Sequence, residues 1–108
     1  MNDIRQCVSS GLKTETTQIT TNEAWVVGFC IKTDGSNDAT LTVYNGTSAD
    51  NDQAVTPAFK VTSTDNYGGM TLPKPVWCQN GIYAVLSGTN AQFTLYYHSR
   101  SKRGAAIY

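Results

Sequence analysis

The sequence predicts an all-β fold: an antiparallel β-sandwich or jelly roll of seven or eight short strands. Three observations lead there. First, 15 Thr, 8 Val and 5 Ile stand among 108 residues, and such β-branched side chains are stiff at χ1 and pack well on a pleated surface. Second, apolar residues recur with period two, and no stretch sustains the 3.6-residue period of an amphipathic helix. Third, clusters of Gly, Asn, Asp, Ser and Pro punctuate these runs, as turns do between short strands.

Each element follows from the local pattern. Residues 12–20 form a polar alternating stretch, read as an outer or edge strand. Ala24 to Thr33 carries the strongest strand signal. Strict alternation puts bulky Trp25, Val27, Phe29 and Ile31 on the core face and small Val26, Gly28 and Cys30 on the other. That small face suits close approach by another sheet, loop or subunit. Asp34 to Asp38 is a turn. Residues 39–45 alternate again, with Leu41 and Val43 inward. Residues 54–62 read as a strand whose Pro57 marks a bulge or an edge. Met70 to Leu72 reads as a short strand that Pro73 and Pro75 interrupt. Asn80-Gly81 is the best hairpin signal, because both residues tolerate positive φ. Gly81 to Ser87 is apolar on both faces, hence central, and 91–98 alternates Phe93, Leu95 and Tyr97 against Thr94, Tyr96 and His98. The expected core is Trp25, Val27, Phe29, Ile31, Leu41, Val43, Ile82, Leu86, Phe93 and Leu95. Trp77, Phe59 and Tyr97 are also read as core, and Tyr44, Tyr67, Tyr83 and Tyr96 as partly exposed. An immunoglobulin domain is disfavoured, because Val76 stands where that fold places a tyrosine two residues before its second cysteine.

The length suits one domain, placed at residues 1–98, with a basic arm at 99–108. Formal net charge is zero, which speaks against a whole-domain electrostatic partner such as nucleic acid. The charge is nonetheless uneven. Residues 1–98 carry −3, while Arg100, Lys102 and Arg103 give the last ten residues +3. Met1 to Cys7 has mixed charge and no signal-peptide pattern. The longest apolar run, Ala24 to Ile31, is too short to span a membrane as a helix. Cys7, Cys30 and Cys78 are odd in number and contain no C-x-x-C pair. They read as small apolar residues in a reducing compartment.

Catalytic constellations are not apparent, and the chain is expected not to be an enzyme and to carry no cofactor or metal. His98 is the single histidine, with no nucleophile and orienting acid in a recognisable pattern. A catalytic cysteine needs a helix N-terminus or a base. Asp34-Gly35-Ser36-Asn37-Asp38 superficially suggests a calcium loop, but the twelve-residue pattern ending in a ligating Glu is absent. The arm is the more interesting feature. Its charges are followed by Ile107 and Tyr108, an apolar anchor that a purely solvating tail lacks. Arg100, Lys102, Arg103, Ile107 and Tyr108, with Tyr96 and His98, are therefore the candidate assembly contacts.

Two segments resemble a known family. Val26-Val27-Gly28-Phe29 followed by Asp38-Ala39-Thr40-Leu41-Thr42-Val43-Tyr44-Asn45-Gly46-Thr47-Ser48 is one. Asn80-Gly81-Ile82-Tyr83-Ala84-Val85-Leu86-Ser87-Gly88-Thr89 with residues 91–97 is the other. Together they resemble small β-sandwich virion proteins of tailed bacteriophages, over residues 24–98. The resemblance implies a non-enzymatic virion structural protein, made in the host bacterial cytoplasm. The expected role is a capsid decoration or cement subunit that self-associates or binds the major capsid protein. A homo-oligomer is expected, with a trimer one option, and no membrane partner. A neck or tail component is the close alternative. A carbohydrate- or receptor-binding module using exposed Tyr or Trp is the alternative from another class.

Overall fold

Strands form where alternation is cleanest. In the computed structural model, which describes residues 7–99, the strands are β1 (Val8–Ser9), β2 (Thr17–Thr20), β3 (Ala24–Lys32), β4 (Ala39–Asn45), β5 (Phe59–Val61), β6 (Tyr67–Cys78), β7 (Ile82–Ser87) and β8 (Gln92–Ser99). One 3-10 turn, Asn51–Gln53, lies between β4 and β5. The strands make two four-stranded sheets, ordered β1-β8-β3-β6 and β2-β7-β4-β5, and every pairing is antiparallel.

That order is the jelly roll. The chain behaves as one long hairpin with its apex at β4–β5. Along it β3 pairs with β6, β2 with β7 and β1 with β8. Rolling the hairpin brings β3 against β8 and β4 against β7. Only the β4–β5 connection therefore stays within a sheet, and every other connection crosses the sandwich. Rolling covers the apolar face of each sheet with the other.

The Asn80-Gly81 hairpin expectation is corrected by this topology. Gly81 does take the left-handed conformation, at φ 103. The turn nevertheless carries the chain from one sheet to the other, and Asn80 N–H donates to Asn45 Oδ1 at 3.0 Å. The short strand expected at Met70 to Leu72 is instead part of β6, which runs through both prolines. It can do so because β6 is an edge strand, where a missing donor leaves no ladder partner orphaned. Across it the register passes from Val26↔Val76 to Gly28↔Thr71, so Leu72 to Pro75 bow out opposite Val27 alone.

The same point on β3 is a bulge relative to β8, where Val26 faces Tyr97 and Gly28 faces Tyr96. The extra residue, Val27, flips the side-chain phase. Ala24 and Val26 point inward before it, and Phe29 and Ile31 after it. Trp25 and Val27 are thus outside the core, contrary to the alternation argument. Their places are taken by Ala24 and Val26, both fully buried. Phe29, Ile31, Leu41, Val43, Ile82, Phe93 and Leu95 are core as expected, with Leu86 partly buried against them. Fully burying each large aliphatic or aromatic side chain contributes about 1.5–3 kcal/mol.

Other expectations change as well. The strand read at 54–62 contracts to β5, with Ala54 left as an isolated bridge to Tyr44. That contact and the Val55 N–H to Val43 carbonyl bond, 2.8 Å, lay the loop over Tyr44, which is buried. Trp77, read as core, lies on the outside at 36% exposure. The stretch 12–20 splits: Lys13 bridges Phe93 in one sheet, and Thr17–Thr20 forms the edge of the other. Ser99, assigned to the arm, is the last residue of β8 and pairs with Ala24.

Candidate functional site

The outer faces of the two sheets differ in chemistry. On the β2-β7-β4-β5 sheet, Thr40 and Thr42 of β4 stand beside Ser87 and Val85 of β7. Lys60 of β5 pairs with Thr40 and bonds Asp38 at 3.4 Å. This face is mostly polar, with Val85 and Tyr83 among its half-buried residues. On the β1-β8-β3-β6 sheet the outward rows run differently. Trp77, Trp25 and His98 form the first row. Thr71, Gly28 and Tyr96 form the next, then Gly69, Cys30 and Thr94, and finally Tyr67, Lys32 and Gln92. Aromatic side chains thus occupy both ends of the face, with small residues between them.

The bulge builds this arrangement. By reversing phase at Val27, it turns Trp25 outward, half-buried and directly opposite Trp77, with ring centroids 4.5 Å apart and planes tilted by 49°. Beyond the bulge, Gly28 and Gly69 lie where the β3 and β6 backbones leave no room for a side chain. A Cβ on Gly28 would run into the Met70 carbonyl oxygen, and one on Gly69 would lie 2.8 Å from that of Phe29. Glycine is required at both positions, and the middle of the face is left without bulky side chains.

The result is a shallow depression of about 380 Å³ lined by Cys30, Tyr67, Gly69, Met70, Thr71 and Tyr96. A second hollow of about 160 Å³ shares Cys30 and Tyr67 and extends past Thr94 and Gln92 to Leu12. Tyr96 is held in place, its hydroxyl 3.3 Å from the Cys30 sulfur. That contact, aided by further unfavourable charge interactions, pushes the phenol above its ordinary pKa. Tyr67, across the depression, is 65% exposed. Lys32 donates to its neighbour's carbonyl, Thr33, at 3.4 Å.

The exposed large hydrophobic side chains also gather on this sheet. Val8 lies on edge strand β1, Tyr67, Val76 and Trp77 lie on edge strand β6, and Leu12 sits beside the β1 edge. Of the candidate contacts read from the sequence, Tyr96 and His98 lie on the outward face of β8, with His98 paired to Trp25. Arg100, Lys102, Arg103, Ile107 and Tyr108 lie outside the described residues. Sequence reasoning missed Thr71, Gly69 and the role of Tyr67. The signal was available in Tyr67-Gly68-Gly69, an aromatic beside two glycines within a strand, which marks a close backbone approach.

No group of three or more His, Cys, Asp or Glu able to hold a metal ion occurs among the described residues. The Asp34 carboxylate is engaged by its own turn: Ser36 and Asn37 N–H donate to it at 2.8 and 2.9 Å. Those bonds, with that from the Asn37 side chain, lower its pKa to about 2. Cys7 is exposed, Cys30 lies in the depression, and Cys78 is buried, its thiol pushed up to about 11 by desolvation. Among the described residues, no helix is long and apolar enough to cross a membrane. The chain matches no protein-family model, no curated protein and no solved structure.

Proposed function

We propose that this protein is a non-enzymatic virion structural component of a tailed bacteriophage, a capsid decoration or cement subunit that packs laterally against copies of itself or against the major capsid protein. The observation that carries this reading is the placement of its exposed apolar side chains. Val8, Leu12, Val76 and Trp77 border the β1-β8-β3-β6 sheet, whereas the other sheet turns a threonine-rich face to solvent. Apolar side chains collected on sheet edges suit burial against a partner more than solvation. Edge strands also offer unpaired backbone groups, and Pro73, Lys74 and Pro75 guard only the middle of β6. In this reading Arg100, Lys102 and Arg103 meet carboxylates of a neighbouring subunit, and Ile107 and Tyr108 add apolar contact. Each exposed ion pair contributes about 0–1 kcal/mol, so the apolar contacts carry most of the attachment.

Sedimentation velocity across a concentration series tests self-association. Antibody labelling of purified phage particles tests the location. Val76→Asp should weaken association, and truncation after Ser99 should weaken particle attachment. A chain that stays monomeric throughout and labels no particle defeats the proposal.

A second reading, a carbohydrate- or receptor-binding module, is favoured by one specific observation: the aromatic-walled depression in the middle of the same sheet.

A further inference from the structure

We propose that the depression between Tyr67 and Tyr96 is a binding site for a neutral oligosaccharide, independent of the lateral contacts on the sheet edges. The argument begins with shape. Gly69 and Cys30 form a floor with little side chain, and Tyr67, Tyr96 and Thr71 rise around it. A pyranose ring has an apolar C–H face and a rim of hydroxyls. Phenol rings meet the first through their faces and the second through their hydroxyls. Thr71, Thr94 and Gln92 add uncharged donors and acceptors on the same side of the sheet. The volume, about 380 Å³, falls in the range of roughly 300–1,000 Å³ common to small-ligand sites.

Charge selects among ligands. Among the described residues, Lys32 is the only charged one lining either hollow, and its ammonium turns back to the Thr33 carbonyl. A phosphodiester chain or an acidic sugar finds no cationic cluster here among the described residues. Area weighs against a protein occupant of this face alone. Strands β8, β3 and β6 have 8, 9 and 12 residues and β1 only two. At about 4.8 Å between strands and about 3.3 Å per residue the face covers roughly 500 Å², below the roughly 800 Å² per partner of a standard interface. The site is also pre-organised, because the bond to Cys30 fixes Tyr96 before any ligand arrives.

The test uses the full chain on an array of immobilised neutral hexose and N-acetylhexosamine oligosaccharides, with sialylated and sulfated counterparts. Hits are followed by two-dimensional amide NMR titration with the free sugar. The expected result is binding to neutral members, with shifts centred on Gly69, Cys30 and Thr94. Tyr67→Ala should weaken binding at least tenfold, and Thr71→Trp should abolish it by filling the depression. Both side chains are exposed, so circular dichroism and melting temperature should match the parent. Val76→Asp should leave sugar binding unchanged, which separates this site from the lateral contacts. No neutral sugar bound, binding restricted to acidic sugars, or binding indifferent to Tyr67→Ala overturns the proposal. It is equally overturned if Tyr67→Ala abolishes self-association instead, since the face is then a protein interface.

Discussion

The β3 bulge makes a sharp stability prediction, because two neighbouring valines exchange roles across it. Val26 is fully buried, and Val27 is the inserted, half-buried residue. Truncating Val26 to Ala removes two buried methyl equivalents at about 0.8 kcal/mol each. The unfilled space adds roughly 1 kcal/mol at about 24 cal/mol per Å³ of residual cavity. Val26→Ala should therefore cost about 2–3 kcal/mol. Val27→Ala removes half-solvated methyls and leaves no closed cavity, so its cost should stay below about 1 kcal/mol. In a domain of this size each kcal/mol lowers the melting temperature by roughly 4–8 °C, which places Val26→Ala about 10–20 °C below the parent. Urea unfolding followed by tryptophan fluorescence gives the free energies, and thermal circular dichroism gives the temperatures. Equal costs, or a larger cost at Val27, would mean that β3 alternates without interruption. The outward-facing Trp25–Trp77 pair would then be wrong as well.

Other expectations follow from single contacts. Phe29→Ala removes a buried ring that meets Phe59 edge-on at 5.4 Å and should cost about 3–5 kcal/mol in urea unfolding. Gly28→Ala drives a methyl into the rigid Met70 carbonyl. It should cost about 1–3 kcal/mol, and an unchanged melting temperature would rule out the close β3–β6 approach. Asp34 has a folded pKa of about 2 against an ordinary 3.8. Its contribution to stability is therefore complete above the ordinary value and lost as pH falls toward about 2. Carboxyl NMR titration should show that midpoint, and Asp34→Asn should flatten this part of the acid-stability curve. Cys78 is buried with its thiol pushed up to about 11, whereas Cys7 is exposed. Alkylation of the folded chain at neutral pH, read by peptide mass, should label Cys7 well before Cys78, and equal rates would contradict the burial.

Strand identity was largely legible in the sequence. Period-two alternation is a one-dimensional signal, and in Ala39–Asn45 and Gln92–Ser99 nothing breaks it. Leu41, Val43, Phe93 and Leu95 could be assigned to the core from their spacing alone. In β3 the same logic works from Phe29 onward and fails before it. A bulge inserts one residue, and two adjacent valines give no local sign of which is the extra one. Register against β6 and β8 decides that, and both partners lie far along the chain.

The candidate site depended on tertiary structure almost entirely. Tyr96 and His98 were visible as residues of one strand face, and Gly28 and Cys30 as a small face open to close approach. That Gly69 completes the floor, that Tyr67 faces Tyr96 across it, and that Trp77 covers Trp25 all follow from β6 pairing with β3 in one register. The Asn80-Gly81 turn shows the same division. Its residues establish that the chain reverses, because glycine takes positive φ without cost. Whether the reversal closes a hairpin or crosses the sandwich depends on which sheet offers the next strand an unpaired ladder and an apolar face. Only the rolled arrangement of all eight strands settles that.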